Sequence, residues 1–124
     1  MSNPKFKILY VDDDKDMLDS LKIVLEANNY EVKTAMTAEE GIKVFKREKP
    51  NVVIVDLMME EVDSGTNFVK NLRLIDSSTP VYMLSSVGDK LNAEIAYSDL
   101  GLSGIFQKPL EPKKLLTTLK LKLF

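Results

Sequence analysis

The sequence contains no cysteine and no histidine. Without cysteine there can be no disulfide, no thiol nucleophile and no cysteine metal site. Without histidine the commonest general base and the usual zinc ligand are missing. Any chemistry must therefore rest on carboxylates, hydroxyls and lysines. No apolar run approaches the roughly 20 residues that span a bilayer. The start, Met1-Ser2-Asn3-Pro4-Lys5, lacks the apolar region of a signal peptide, so a cytoplasmic protein with no membrane attachment is expected. A net charge of −2 gives no electrostatic reason to bind nucleic acid. What is present is ordinary for a globular protein: 44% hydrophobic and 29% charged residues over 124 positions suit one domain with one core.

The most informative stretch is Asn51-Val52-Val53-Ile54-Val55-Asp56. An unbroken apolar run reads as a strand buried on both faces, which is how a central parallel strand looks. Its last position is a carboxylate, so Asp56 must sit where the strand leaves the sheet. The rest of the chain alternates around it. Lys5 to Val11 is a first strand, and Met17, Leu18, Leu21, Val24 and Leu25 fall at helical spacing up to Asn28-Asn29. Tyr30 to Ala35 is a second strand. Thr37 with Glu40 three residues later forms a capping box that opens a helix to about Glu48. After Asp56, an acidic loop leads to a helix carrying Phe68, Val69, Leu72 and Ile75. Val81 to Ser86 is a fourth strand, and Leu91, Ile95 and Leu100 sketch a fourth helix closed by Gly101. Gly104 to Lys108 is a fifth strand, and Glu111 to Phe124 a final helix with Leu115, Leu116, Leu119 and Leu123. Strands alternating with helices through short loops predict an α/β fold, a parallel sheet covered on both faces.

Strands one, three, four and five end in Asp12-Asp13, Asp56, Ser85 and Lys108. In a parallel sheet those ends lie along one edge, where open α/β folds place their ligands. Singly, each has a bland explanation: Asp14 or Asp16 can cap a helix, the serines can turn the chain, and Lys108 can be solvated. Together, chance is a poor account of them. Carboxylates drawn together repel by roughly 4 kcal/mol per pair at about 4 Å and an effective dielectric of about 20. Protons or a cation must offset that, and an all-oxygen site with room for water suits Mg2+. A carboxylate beside Mg2+ and a lysine is a plausible nucleophile toward phosphorus, in a reaction where positioning and charge neutralisation supply most of the catalysis.

Four motifs, Ile8-Leu9-Tyr10-Val11-Asp12-Asp13-Asp14, Val55-Asp56-Leu57-Met58-Met59, Pro80-Val81-Tyr82-Met83-Leu84-Ser85 and Lys108-Pro109, together resemble the receiver domain of two-component response regulators. The resemblance runs from about Lys5 to the last helix and implies a single receiver domain over residues 1–124, with no output domain in this sequence. It implies a flavodoxin-like, doubly wound sheet of five parallel strands with five helices, in strand order 2-1-3-4-5. By position, Asp56 resembles the phosphoacceptor, Ser85 the switch hydroxyl and Lys108 the family's lysine. Asp12, Asp13 and Asp56, with the backbone carbonyl of Met58, resemble the Mg2+ ligands. The implied function is acceptance of a phosphoryl group from the phosphohistidine of a partner histidine kinase or phosphotransfer protein. The implied consequence is a rearrangement that changes which downstream protein docks. Such a domain is not an enzyme toward other substrates; it catalyses only its own phosphorylation and dephosphorylation, and a monomer or weak dimer is expected. A cis peptide is implied at Lys108-Pro109.

The sequence departs from the family pattern in the loop after Asp56, where Glu60-Glu61 replace the usual proline. Asp63-Ser64-Gly65 is one residue longer than the usual Asp-Gly. It departs again where the family carries an aromatic three residues before the lysine: here Ile105 holds that place and Phe106 follows. Neighbours on a strand point to opposite faces, so Phe106 does not simply substitute. Two other classes compete with the receiver reading. One is a receiver-like interaction domain that is never phosphorylated. The other is a phosphatase of the haloacid-dehalogenase type built on Asp12-x-Asp14 with Ser85 and Lys108, although Asp16 stands where that motif wants Thr or Val.

Overall fold

A computed structural model describes residues 5–57, 59, 64–86 and 100–123. The elements are β1 (Lys7–Val11), α1 (Lys15–Ala27), β2 (Glu31–Ala35), α2 (Ala38–Glu48), β3 (Val52–Asp56), α3 (Ser64–Ile75), β4 (Val81–Ser85), β5 (Gly104–Gln107) and α4 (Pro112–Leu123). The strands form one parallel sheet in the order β2-β1-β3-β4-β5. That is the expected topology, with four helices among the described residues. The helix expected around Leu91 and Ile95 lies outside the described residues. Among the described residues Leu100 is helical and Gly101 takes φ +63°, the left-handed backbone that closes helices.

Local signals account for the element ends. Asp14 caps α1 by accepting from the backbone N–H of Asp16 and Met17, and Thr37 caps α2 by accepting from Glu40 at 3.0 Å. Asn29 takes φ 72° just past α1, and Lys49 takes φ 49° just past α2. Both turns release the chain into the next strand. β3 and β4 are buried at every position, as an apolar strand covered on both faces must be.

Strand alternation divides the interior into two clusters, one on each face of the sheet. Leu9, Val11, Val53, Val55 and Met83 pack under Val44 and Phe45 of α2 and Phe68, Val69 and Leu72 of α3. Ile8, Tyr10, Ile54, Tyr82 and Leu84 pack under Leu18, Leu21 and Leu25 of α1 and Leu115 and Leu119 of α4. The interior is thus two layers separated by the sheet, where composition alone suggested one core. Ile75, expected on the buried stripe of α3, is 46% exposed because it occupies the helix's last position, past the edge of that layer. Arg73 of the same helix donates to the carbonyl oxygens of Thr79 at 2.8 Å, Leu100 at 3.2 Å and Gly101 at 3.2 Å. One guanidinium thereby ties α3 to the turn ahead of β5.

The start of α3 is pressed onto the end of β3. The Gly65 N–H donates to the Leu57 carbonyl at 3.0 Å. A Cβ on Gly65 would collide with the carbonyl oxygens of Asp56 and Leu57 and stand 2.7 Å from the Leu57 carbonyl carbon. Gly41, also tightly placed, faces the Phe68 ring edge instead, a side chain that can shift. Gly65→Ala should lower stability in urea unfolding by roughly 2 kcal/mol, as overpacking does, and by more than Gly41→Ala. Equal or smaller loss at Gly65 would show that this contact does not constrain the end of β3.

Candidate functional site

The sheet delivers five sequence-selected side chains to its carboxyl edge. Parallel pairing sets Val11 beside Val55 and Asp56 beside Leu84. Asp12 therefore leaves β1 next to Asp56 leaving β3. The ladder runs one step further at each end: Asp12 N–H donates to Ala35 O at 3.0 Å, Leu57 N–H to Leu84 O at 2.8 Å, and Lys108 N–H to Ser85 O at 2.7 Å. These bonds hold Asp12 and Lys108, which lie one residue beyond their strands, in line with Asp56 and Ser85 at the last positions of theirs. The last one also holds Lys108 beside Ser85, ahead of a cis bond to Pro109.

Carboxylate oxygens of Asp12, Asp13 and Asp56 all lie within 4.8 Å of one another. Asp12 is fully buried, Asp56 is 6% exposed, and Asp13 is open to solvent. Lys108 Nζ donates to Asp56 Oδ2 at 3.0 Å and stands 3.8 Å from Asp12 Oδ2. Ser85 is 3% exposed at the adjoining strand end. Met58, the remaining candidate ligand, lies outside the described residues, as do Glu60 and Glu61. Ser64 and Gly65, at the end of the lengthened loop, form the first turn of α3. Ile105 packs against the cluster under α2 and α3 and Phe106 against the other, where its ring meets Tyr82 at 5.7 Å between centroids. The two neighbours do face opposite layers.

Asp14 is not part of the constellation, because its carboxylate is spent on the cap of α1. Tyr10 is part of it, although the sequence pattern marks it only as an apolar strand position. Its hydroxyl donates to Asp12 Oδ2 at 2.7 Å inside the protein. The available signal was strand geometry, which sends residues two apart to the same face. Burial, the bond to Asp12 and the charges of Asp12, Asp56 and Asp14 hold the Tyr10 phenol neutral, far above the usual tyrosine range.

Three oxygen-donor carboxylates with one exposed member fit a hard divalent cation that keeps some of its water, as Mg2+ does. Without a cation the cluster carries an electrostatic load. Burial pushes the Asp56 carboxyl up, the Lys108 hydrogen bond pulls it back and the Asp12 charge adds to the rise, which together leave it raised to about 6. At Lys108, burial alone would favour the neutral amine, but the bond to Asp56 and the charges of Asp56, Asp12 and Asp14 outweigh it and raise its pKa.

A carboxyl whose pKa is higher folded than unfolded binds extra protons in the folded state, so its contribution is full below the unfolded value. For Asp56 that contribution is present below about 3.8 and is lost as pH rises through about 6. In the metal-free protein at pH ~7.5, Asp56→Asn should therefore raise stability, by on the order of 1–3 kcal/mol at about 1.4 kcal/mol per pH unit. The gain should shrink toward zero near pH ~4 in melts followed by circular dichroism with a chelator present. A variant less stable than the parent at pH ~7.5 would mean the Lys108 pair outweighs desolvation.

With this geometry in place, comparison with known proteins is direct. The response regulator receiver domain matches residues 8–120. The chain is 37% identical over 111 residues to a probable transcriptional regulator of Porphyridium aerugineum, covering 90% of this chain and 45% of that one. It is 32% identical to the alkaline phosphatase synthesis transcriptional regulatory protein of Bacillus subtilis, covering 87% and 44%. The chain thus spans less than half the length of these relatives. Among solved structures, a CheY-like receiver domain protein of Methanospirillum hungatei superposes with a TM-score of 0.89 at 30% identity, over 97% of this chain and 94% of that one. A chemotaxis response regulator of Vibrio cholerae superposes with a TM-score of 0.84 at 29% identity, over 94% and 98%. Family match, sheet order and the carboxylate edge agree: this chain belongs to the response regulator receiver domains.

Proposed function

We propose that this receiver domain accepts a phosphoryl group on Asp56 from the phosphohistidine of a partner histidine kinase or phosphotransfer protein, in a Mg2+-dependent reaction. The modification would switch which downstream protein docks. The observation that carries the reading is the convergence of Asp12, Asp13 and Asp56 within 4.8 Å, with Lys108 at 3.0 Å from Asp56. An Asp56 carboxylate oxygen forms the new P–O bond as the P–N bond to the donor imidazole breaks. The imidazole leaves with that electron pair and takes a proton. Lys108, already on Asp56, lies within reach of charge on the incoming phosphoryl oxygens. Ser85, at the adjoining strand end, supplies a hydroxyl to another of them.

Asp12, Asp13 and Asp56 would hold the metal, together with the backbone carbonyl of Met58. When bound, Mg2+ would neutralise negative charge shared between these carboxylates and the phosphoryl group. The domain acts on no substrate but its own Asp56. A cytoplasmic role belongs to this reading; among the described residues no helix is long and apolar enough to cross a membrane. A phosphatase built on Asp12 and Asp14 is disfavoured by position. Asp12 is fully buried with both oxygens hydrogen-bonded, to Tyr10 and to the Asp14 N–H, while Asp14 faces the α1 backbone.

Incubation with Mg2+ and acetyl phosphate, followed by intact-mass spectrometry, should add one phosphoryl group that hydroxylamine removes. Asp56→Asn should abolish the addition. Asp13→Ala should leave it at least tenfold slower and should remove the rise in melting temperature that Mg2+ produces by mass action. Label retained in Asp56→Asn would move the acceptor elsewhere. A label absent from the parent protein would favour a pure interaction domain.

A further inference from the structure

Asp12 is the one member of the carboxylate cluster with no exposure to solvent, and its orientation is set by two donors. Oδ1 accepts the backbone N–H of Asp14 at 3.0 Å, which the turn into α1 provides. Oδ2 accepts the Tyr10 hydroxyl at 2.7 Å. The Tyr10 ring is itself fully buried, wedged in the cluster under α1 and α4 with Ile54 beside it on β3. A buried ring on a strand gives its hydroxyl little freedom, so the donor is fixed before any ligand arrives.

The same oxygen of Asp12 also faces Lys108. Lys108 Nζ stays 3.8 Å from Asp12 Oδ2 while bonding Asp56 Oδ2 at 3.0 Å. A phenol at hydrogen-bond distance already satisfies Asp12 Oδ2, so the ammonium is left to Asp56. Remove the hydroxyl, and Lys108 becomes the main donor within reach of a buried carboxylate oxygen, which costs free energy when unpartnered. Asp12 and Lys108 would then close on each other, turning a metal-facing carboxylate away and drawing the lysine off Asp56.

We propose that Tyr10 is a positioning residue: through its hydrogen bond to Asp12 it holds that carboxylate for a divalent cation and keeps Lys108 paired with Asp56. Donors behind metal-binding carboxylates commonly matter this much, their loss costing about 10–100-fold in metal affinity. The inference rests on the metal-assisted reading of the site given above.

The test is Tyr10→Phe, which keeps the ring and deletes only the hydroxyl. Tyr30→Phe serves as control: Tyr30 lies in the same cluster but just before β2, at the amino edge of the sheet opposite the carboxylates. Mg2+ binding is followed by amide shifts of Asp13 and Asp56 in NMR titrations, and phosphorylation by acetyl phosphate is extrapolated to saturating Mg2+. Tyr10→Phe should weaken Mg2+ binding about tenfold, while the rate at saturating Mg2+ falls no more than about threefold and Tyr30→Phe matches the parent. The Lys108 Nζ resonance should also shift in the metal-free variant. Mg2+ affinity within twofold of the parent, in a variant that melts normally with chelator, would overturn the role of Tyr10 alone. A variant with reduced affinity but a melt as broad and early as a packing defect gives would assign the loss to folding and also overturn it. Failure of the parent itself to bind Mg2+ would overturn the metal-assisted reading and this inference with it.

Discussion

Everything at the carboxyl edge follows from one unfavourable requirement: three carboxylates must be held within 4.8 Å of one another, two of them buried. Like charges at such range repel by several kcal/mol even with generous screening, and no local sequence preference would assemble them. The sheet does it by force of register. Ile8 to Val11 and Val52 to Val55 pair step for step, and both strands are locked between apolar layers on either side. Displacing one strand by a single residue would exchange its two faces and cost both layers at once. The core is therefore what keeps Asp12 and Asp56 together, and the electrostatic load at the edge is met from its packing.

That load is also what makes the edge responsive. The cluster is partly relieved from within, by Lys108 on Asp56 and by Tyr10 and the Asp14 N–H on Asp12, while the upward shift of Asp56 registers what is left of the load. None of these removes the negative charge on exposed Asp13. A cation and a phosphoryl group together would change the balance at the ends of β1, β3, β4 and β5, strands that lead into different loops. The lengthened β3–α3 connection is anchored close to this point by Gly65 against the carbonyls of Asp56 and Leu57.

Much of this was legible in the residues. The run from Val52 to Asp56 announced a central buried strand because only burial on both faces favours such a sequence. The strand ends then placed Asp12, Asp13, Asp56, Ser85 and Lys108 on one edge, and the fold gathers the three carboxylates within 4.8 Å of one another with Lys108 paired to Asp56. Tyr10 was not legible, since a tyrosine in an apolar strand reads as packing until the hydroxyl's partner is known. Nor was the exposure of Ile75, because helical periodicity says which side a residue faces but not how far the opposing layer extends. Ile105 and Phe106 face opposite layers as their adjacency in the sequence predicts, since alternation along a strand depends on the backbone alone. The contact between Phe106 and Tyr82 needed the neighbouring strand's register.

The central proposal is that Asp56 belongs to a largely buried carboxylate cluster whose charge a divalent cation would offset. The direct measurement is a pH titration of the side-chain carboxyl carbons by 13C NMR, with and without Mg2+. Asp56 should titrate near pH 6 in the metal-free protein and well below that with Mg2+ saturating. An Asp56 carboxyl titrating near the ordinary aspartate value of about 4 in both conditions would contradict it.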